Sequence, residues 1–344
     1  MGVAIGMDSH KETLAAAAVD ELGRVIDVRE FRNRPDGHRA LIGWISSQQD
    51  PRTVGIEGSQ GFGAAVARRL LLAGEDVREV PATLTHRQRS RRPSQGKSDP
   101  VDAVAIARVV AVGDGLSSAR RAQVLADLKL LVDYRDQLVR ARTQVANRVH
   151  ADLVVICPGY EETVPNLRAR KHILAARALL GRDRSVRAGL LRRRLAEMLR
   201  LSTEIGEAER RMAEKLEEAN STLTEIPGVG PYIAAKILGE VGDPSRIRSR
   251  AAFAVLSGTA PLMASSGQTH RHRLNRGGNR QLNWALHYIA LVQSRTLPEA
   301  KAYTARQRDA GKSFREALRC LKRQLSNVVY RHLTADAERL EQAA

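Results

Sequence analysis

The feature that most constrains the fold is the alternation of short apolar runs with turn residues over the first 115 residues. Three strand-like runs cross short turns and predict an antiparallel meander, at residues 3–7, 13–19 and 25–31. Helix-like and strand-like segments then alternate, with helices expected at 40–47, 64–73 and 99–112 and strands at 53–57 and 77–80. Residues 1–115 are therefore predicted to form one α/β domain.

The rest of the chain is predicted to be mainly helical, in a middle region at 116–220 and a C-terminal region at 221–344. Six apolar residues in the middle follow a heptad-like spacing: Leu191, Leu195, Met198, Ile205, Met212 and Leu216. This spacing is typical both of an intermolecular coiled coil and of the core of a helical bundle within one chain. A bend is expected at 157–165, which contains two prolines and a glycine.

The charge of the chain indicates a polyanionic partner. Lys and Arg number 56 against 38 Asp and Glu, which gives a formal net charge of +18. Nucleic acid is the usual partner of such a surface, because neutralising its phosphates releases condensed counterions. Aromatic residues make up only 3% of the chain, which argues against recognition of single strands by base stacking.

Several classes of protein are excluded by what the sequence lacks. No run of about 18 apolar residues is present, so a membrane-spanning helix is not expected. The start of the chain lacks a basic segment followed by an apolar core, and the only cysteines are Cys157 and Cys320, so a reducing cytoplasm is expected. Two Gly-Lys-Ser triplets lack the earlier glycine of a phosphate-binding loop, which excludes an NTPase of that type.

Four carboxylates stand out by their placement. Asp8 ends the first predicted strand, Glu57 ends the fourth, and Asp99 and Asp102 begin the last helix of the α/β domain. Such acids can converge on one point and form an oxygen-only site for Mg²⁺ or Mn²⁺. Simpler roles are open for each of them: a turn cap for Asp8, a solvated loop position for Glu57, and helix capping for Asp99 and Asp102.

These segments resemble a known family. The sequences at 6–11, 55–58 and 97–103 are similar to the Asp-Glu-Asp-Asp motif of the IS110-type transposases, whose N-terminal domain resembles the resolvase RuvC, and Piv-type invertases share the pattern. The C-terminal segments 226–231, 265–267 and 276–280 resemble the second domain of that family. The resemblance implies a ribonuclease H-like (RuvC-like) N-terminal domain, a long helical or coiled-coil middle, and a mainly α C-terminal domain.

The resemblance also implies a mechanism. Asp8, Glu57, Asp99 and Asp102 would hold Mg²⁺, and Ser266 would attack DNA to form a phosphoserine link. Ser265 is adjacent, and the assignment to Ser266 rests on its position before Gly267. The family further implies an element-encoded guide RNA, and a dimer or tetramer whose active site combines two protomers.

Nucleic-acid contacts are expected in three basic or glycine-rich segments. They are a basic strip after the fifth strand, a Gly/Pro turn similar to the hairpin of a helix-hairpin-helix, and a basic loop after Ser266. The residues expected to make these contacts are Arg87, Arg89, Arg91, Arg92, Lys97, Gly228, Gly230, Arg271, Arg273, Arg276 and Arg280. His270 and His272 are interpreted as further phosphate contacts. Residues 83–97 show no periodicity, and the basic strip from His86 to Lys97 is expected to stay solvated until it meets a nucleic acid.

The resemblance and the residues together predict a transposase that cuts and rejoins donor and target DNA. One alternative is a structure-selective nuclease that uses the four acids with water as nucleophile. A site-specific invertase of the Piv type and a non-catalytic nucleic-acid-binding protein are the others.

Overall fold

A computed structural model describes residues 2–90, 98–113, 116–263, 272–273, 275 and 277–342. The chain divides into two compact units, Met1–Ala126 with Gly242–Arg246, and Asp127–Val241 with Ile247–Ala344. The second unit therefore contains most of the helical middle together with the C-terminal region. The three-region division drawn from the sequence stays a prediction.

The first unit is built on one six-stranded mixed sheet. Its strands are β1 (Val3–Ser9), β2 (Thr13–Val19), β3 (Val25–Arg32), β4 (Arg52–Glu57), β5 (Asp76–Glu79) and β6 (Ser117–Ser118), in the order β3-β2-β1-β4-β5-β6. The first three strands are antiparallel, and β4 and β5 continue parallel to β1. The predicted meander and the two later strands are confirmed. The two-residue strand β6, antiparallel to β5, was not predicted, because so short a strand has no periodicity.

Helices cover both faces of this sheet, which explains why its central strands are nearly all apolar. They are α1 (Pro35–Ser46), α2 (Ala64–Leu72), α3 (Ala82–Ser90) and α4 (Asp99–Val112). On one face, Leu41, Ile45 and Leu70 from α1 and α2 pack in a common core with β1 and β4. On the other face, Ile106 and Val110 of α4 pack with residues of β1 and β2.

Two glycines allow α4 to lie directly on the sheet. Gly6 of β1 and Gly55 of β4 are register partners on neighbouring strands. A Cβ at Gly6 would overlap the backbone of Ala103 and Ala107, and one at Gly55 would overlap the side chain of Val110. The absence of these two side chains therefore sets how closely α4 approaches β1 and β4.

The expectation of an irregular segment at 83–97 is wrong over its first part. Residues 82–90 form α3, which begins after Pro81 with the amide of Leu84 donating to the Pro81 carbonyl at 2.8 Å. The helix is polar and has no apolar stripe. It packs on α4, with Thr85 buried and Arg89 in an ion pair with Asp102, so tertiary contacts stabilise it where periodicity gave no signal. Residues 91–97 lie outside the described part of the chain.

Helices make up nearly all of the second unit. They are α5 (Ala119–Ile156), whose first turns belong to the first unit, α6 (Arg170–Leu179), α7 (Val186–Glu218), α8 (Pro231–Val241), α9 (Arg250–Leu256), α10 (Arg280–Thr296), α11 (Pro298–Asp309) and α12 (Phe314–Gln342). A two-residue ribbon pairs β7 (Leu262–Met263) with β8 (His272–Arg273). The predicted bend at 157–165 is confirmed, because α5 ends at Ile156 and a short 3-10 turn follows at Tyr160–Glu162.

The long helices α5 and α7 run antiparallel and bond to each other along their length. Tyr134 donates to Glu204 at 3.1 Å, and Arg142 donates to Ser202 at 3.3 Å. Leu195 and Met198 are fully buried in one core with α6, and Ile205 packs with Leu138. Of the two interpretations of the heptad-like spacing, the bundle within one chain is the one observed.

Among the described residues, no helix is both long and apolar enough to cross a membrane.

Candidate active site

The parallel pairing of β1 and β4 brings two of the predicted acids together. Asp8 and Glu57 are register partners at the carboxyl ends of these strands. The hydroxyl of Ser9 donates to the main-chain carbonyl of Glu57 at 2.8 Å and ties the two strand ends to each other. Two carboxylates that are distant in sequence therefore leave the sheet at the same edge.

The first turn of α4 brings the other two acids to this edge. Ser98 is the residue that precedes the helix, and its carbonyl accepts the amide of Asp102 at 3.0 Å. Asp99 is thus the first residue of the helix, and its carboxylate approaches His10 instead of capping the turn. The simpler interpretation of Asp99 as a cap is wrong.

His10 connects Asp8 to Asp99. Its Nε2 lies 3.2 Å from Oδ2 of Asp8 and 3.3 Å from Oδ1 of Asp99. These three side chains offer ligand atoms that all lie within 4.8 Å of one another, a spacing that suits a metal ion. The site predicted from the sequence contained oxygen ligands only, and His10 was not among them. The available signal was its position two residues after Asp8, at the same strand end.

The electrostatics at Asp8 favour a bound cation. Burial raises the pKa of its carboxyl, and the carboxylates of Asp102 and Asp99 raise it further, although His10 opposes them. Negative groups gathered in a partly buried place repel one another, and a divalent cation relieves this repulsion. Two carboxylates and an imidazole therefore form a donor set that fits a divalent metal ion.

Asp102 has a cationic partner within the protein. Its Oδ1 accepts a hydrogen bond from Nη1 of Arg89 at 2.6 Å, and its side chain is only 11% exposed. Arg89 was expected to contact nucleic acid, and the structure places its guanidinium on a buried carboxylate. Within the described residues, Asp102 and Glu57 are not part of the Asp8, His10 and Asp99 group, so their role as metal ligands stays a prediction.

Glu79 is a further carboxylate that the sequence analysis missed. It ends β5, next to Ile56 of β4, and accepts the amide of Ser59 at 3.2 Å. Burial raises the pKa of its carboxyl, and the carboxylate of Glu57 raises it further. The signal that would have identified Glu79 is the one used for Asp8 and Glu57, an acid at the end of a predicted strand.

The predicted nucleophile belongs to a loop whose base is well defined. Ser265 and Ser266 lie outside the described residues, and Gly258 and Gly278 flank the loop. A Cβ at Gly278 would overlap the backbone of Gly258, and the amide of Asn279 donates to Leu256 at 2.6 Å. The two ends of the loop are therefore in direct contact.

A network of hydrogen bonds stabilises the base of the loop. The Asn283 side-chain amide donates to the carbonyls of Ser257 and Gly258 at 2.9 and 3.0 Å. Nζ of Lys322 donates to Oδ1 of Asn283 at 2.7 Å. Lys322 is 6% exposed, and burial lowers its pKa to about 8.

The remaining predicted nucleic-acid contacts fall into three groups. Arg87 on α3 and Arg280 at the start of α10 are exposed, and Gly228 and Gly230 lie in the turn before α8. Arg273 belongs to β8, of which only the backbone is described. The others lie outside the described residues: Arg91, Arg92, Lys97, Arg271 and Arg276, together with His270.

Two family models match the chain. Residues 5–158 match a transposase model of the Asp-Glu-Asp-Asp type from IS110 elements, and residues 220–305 match the transposase model of the IS116/IS110/IS902 family. The first match contains all four predicted acids, and the second contains both the Gly/Pro turn and Ser266.

Several proteins resemble the chain over nearly its whole length. The 43.6 kDa protein of insertion element IS110 from Streptomyces coelicolor is 26% identical, over 96% of this chain and 93% of its own. The 42 kDa protein of IS900 from Mycobacterium paratuberculosis is 25% identical, over 94% of each chain. Among solved structures, T. thermophilus RuvC in complex with a Holliday junction substrate aligns with 34% of this chain and 99% of its own, at 16% identity and a TM-score of 0.28.

Proposed function

Because this chain belongs to the IS110 family of transposases, we propose that it cuts and rejoins donor and target DNA through a divalent-metal site and a serine nucleophile. The observation that carries the proposal is the convergence of Asp8 and Asp99 on His10, beside Glu57. Three separate parts of the chain supply these groups to one edge of the sheet.

The acids would hold Mg²⁺, with Mn²⁺ as a substitute. Asp8, Asp99 and His10 supply ligand atoms at the spacing described, and Glu57 and Asp102 are the remaining proposed ligands. When bound, the metal would supply Lewis-acid stabilisation of the charge that develops on the phosphate. Asp102 also orients Arg89, and this guanidinium can neutralise a phosphate oxygen that enters the same edge.

Ser266 is the proposed nucleophile. Its hydroxyl oxygen would replace one ester oxygen on phosphorus, and the released strand end would take up the proton as a free hydroxyl. One phosphoester bond is broken and one is formed, so the protein–DNA link keeps the energy needed for rejoining. The contact between Gly258 and Gly278 supports this role, because it holds the two ends of the segment that contains Ser266 next to each other.

Two partners complete the proposal. A structured RNA encoded by the element would select donor and target by base pairing, which lets the protein bind mainly phosphates. A dimer or tetramer would let the acids of one protomer act with the serine of another. The net charge of +18 suits both nucleic acids.

The decisive experiment is the capture of the covalent intermediate. A nicked suicide substrate made from the element ends, incubated with the protein, Mg²⁺ and the element RNA, should leave an adduct that survives denaturation. Peptide mapping should place the DNA on Ser266, and Ser266→Ala should abolish the adduct.

Matched variants separate the competing outcomes. Ser265→Ala serves as the control for the loop and should keep the adduct. An adduct lost in Ser265→Ala but kept in Ser266→Ala would identify Ser265 as the nucleophile. Strand cutting without any adduct, unchanged in Ser266→Ala, would identify a hydrolytic nuclease and refute the serine mechanism.

A further inference from the structure

An exposed pair of aromatic side chains lies on α10, far in sequence from the acids. The chain has only two tryptophans, and Trp44 is buried in the first unit, whereas Trp284 is 43% exposed. Tyr288, one helical turn later, is 44% exposed. The two rings are nearly parallel, at 21°, with centroids 5.7 Å apart. We call Trp284 and Tyr288 the aromatic platform.

A buried polar network holds the platform in place. The ring of Tyr232 meets Trp284 edge-on at 6.1 Å, and its hydroxyl donates to Asp136 at 2.7 Å. Asp136 also accepts a hydrogen bond from Nζ of Lys236 at 2.8 Å, and Lys236 is 3% exposed. The platform therefore rests on a rigid support, and little conformational entropy is lost when a ligand stacks on it.

The glycine turn, residues 226–231, lies beside the platform. The side-chain amide of Gln293 donates to the carbonyl of Pro227 at 2.6 Å and fixes the turn on α10. Gly228 has φ +83°, and a Cβ built there would lie 3.2 Å from Val292. Residues 284, 288 and 292 are four apart, so one face of α10 supports both the platform and the turn.

The turn offers unused hydrogen-bond donors. Among the described residues, the amides of Gly228 and Gly230 have no hydrogen-bond partner, whereas the amide of Val229 donates to Ile226. The 11-residue helix α8 begins directly afterwards, at Pro231, and its positive end faces the turn. Together, turn and platform line a cavity of about 750 Å³.

We propose that this cavity binds an unpaired nucleotide of single-stranded DNA, with its base stacked on the platform and its phosphate on the amides of Gly228 and Gly230. A base inside a duplex has both faces covered by its neighbours, so only an unpaired base can use the platform. DNA is the partner because the chain is a transposase. The proposal requires neither the metal nor Ser266.

The proposal departs from an expectation drawn from composition. A content of 3% aromatic residues argued against an aromatic platform, but composition does not report where those residues lie. Trp284, Tyr288 and Tyr232 are gathered around one cavity by α8 and α10.

The test is binding without cleavage, in EDTA. A labelled deoxythymidine dodecamer and a hairpin of equal charge, whose nucleotides are all paired and whose loop is a non-nucleotide linker, are titrated against the protein and its Trp284→Ala variant. Loss of one stacking side chain should weaken binding of the dodecamer by about fivefold to 100-fold and leave hairpin binding unchanged. Because no charge is removed, the dependence of log affinity on log salt should keep its slope.

Three variants serve as controls. Trp284→Phe keeps an aromatic ring and should bind the dodecamer within about threefold of the original protein. Phe314→Ala removes another exposed aromatic, 46% exposed at the start of α12, and should bind normally. Tyr288→Ala should repeat the selective loss of dodecamer binding and provides a second test if Trp284→Ala does not fold.

Intrinsic fluorescence gives an independent readout. The dodecamer should quench the tryptophan emission of the protein, and the quenching should disappear in Trp284→Phe, which retains only the buried Trp44. Equal losses for dodecamer and hairpin would overturn the proposal, as would unchanged dodecamer binding in both Trp284→Ala and Tyr288→Ala. Trp284-dependent binding of a uridine dodecamer, without such binding of the deoxythymidine dodecamer, would overturn the assignment to DNA.

Discussion

Asp8 and Glu57 are register partners on the parallel strands β1 and β4, although 48 residues separate them along the chain. Their pairing places the two carboxylates at the same edge of the sheet. The approach of α4 over Gly6 and Gly55 then adds Asp99 and Asp102 to the same edge.

Asp8→Asn should remove strand cutting while leaving DNA binding nearly unchanged. The substitution keeps the size of the side chain and removes a negative charge next to Asp99, so metal affinity falls, and cutting should drop by about two orders of magnitude or more. Cutting assays over a range of Mg²⁺ concentration, with gel-shift binding in EDTA, measure both effects. Asp36→Asn, at an exposed acid in the first turn of α1, is the matched control. Normal cutting by Asp8→Asn would show that the carboxylate of Asp8 is not needed for the reaction.

His10→Ala should change which metal is preferred. An imidazole ligand strengthens binding of Mn²⁺ more than that of Mg²⁺, which favours oxygen ligands. The original protein should therefore reach half-maximal cutting at a lower concentration of Mn²⁺ than of Mg²⁺. In His10→Ala the ratio of the Mg²⁺ concentration to the Mn²⁺ concentration should be about tenfold smaller. An unchanged ratio of the two concentrations would show that His10 is not a ligand.

Gly6→Ala should separate α4 from the sheet. The added methyl group would overlap the backbone of Ala103 and Ala107, so we expect the free energy of unfolding to fall by about 3 kcal/mol. Metal-dependent cutting should be lost as well, because Asp99 would move away from Asp8. Gly43→Ala is the control, because Gly43 lies on α1 with open space around it and should gain about 0.5–1 kcal/mol. Denaturant unfolding measures both changes. Equal stability of the two variants would contradict the close packing of α4.

Leu195→Ala should destabilise the chain without changing its oligomeric mass. Leu195 is completely buried within the chain, so the cavity should cost about 2–5 kcal/mol. Leu190→Ala, on the same helix at a side chain that is 47% exposed, should cost much less. Denaturant unfolding and light scattering check the two statements. A lower oligomeric mass in Leu195→Ala, with intact helix content, would show that Leu195 lies in an interface between copies of the chain.

Lys322 should make stability depend on alkaline pH. Burial lowers its pKa from 10.5 to about 8, and Arg319 contributes to the lowering. Between these two values the unfolded chain binds more protons at this site than the folded chain, so the free energy of unfolding rises with pH. The rise totals about 3 kcal/mol, at about 1.4 kcal/mol per pKa unit.

The comparison of two variants isolates this contribution from other titrating groups. Lys322→Met should lack the rise between pH 8 and 10.5, whereas Lys301→Met, at an exposed lysine of α11, should keep it. Denaturant unfolding at several pH values measures the difference between each variant and the original protein. Parallel curves for Lys322→Met and the original protein would show that the lysine has an ordinary pKa.

Local patterns in the sequence were sufficient for most of the elements in the first unit. The alternation of apolar runs and turns located β1 to β5, and the Asp-Pro pair located the start of α4. The acids at strand ends followed directly, because the end of a strand is itself a local feature. The α3 helix was missed for the opposite reason, since its stabilising partners belong to α4.

The sequence by itself determined most of the strands and helices of the first unit, the family, and the placement of the four acids at the ends of strands and at the start of a helix. Tertiary structure alone decided that His10 lies between Asp8 and Asp99, that Arg89 pairs with Asp102, and that Leu195 packs within one chain. It also decided that Trp284 and Tyr288 meet the glycine turn. The physical reason is range: periodicity and turn residues act between neighbours in the chain, whereas a site depends on distances between atoms that only packing brings together.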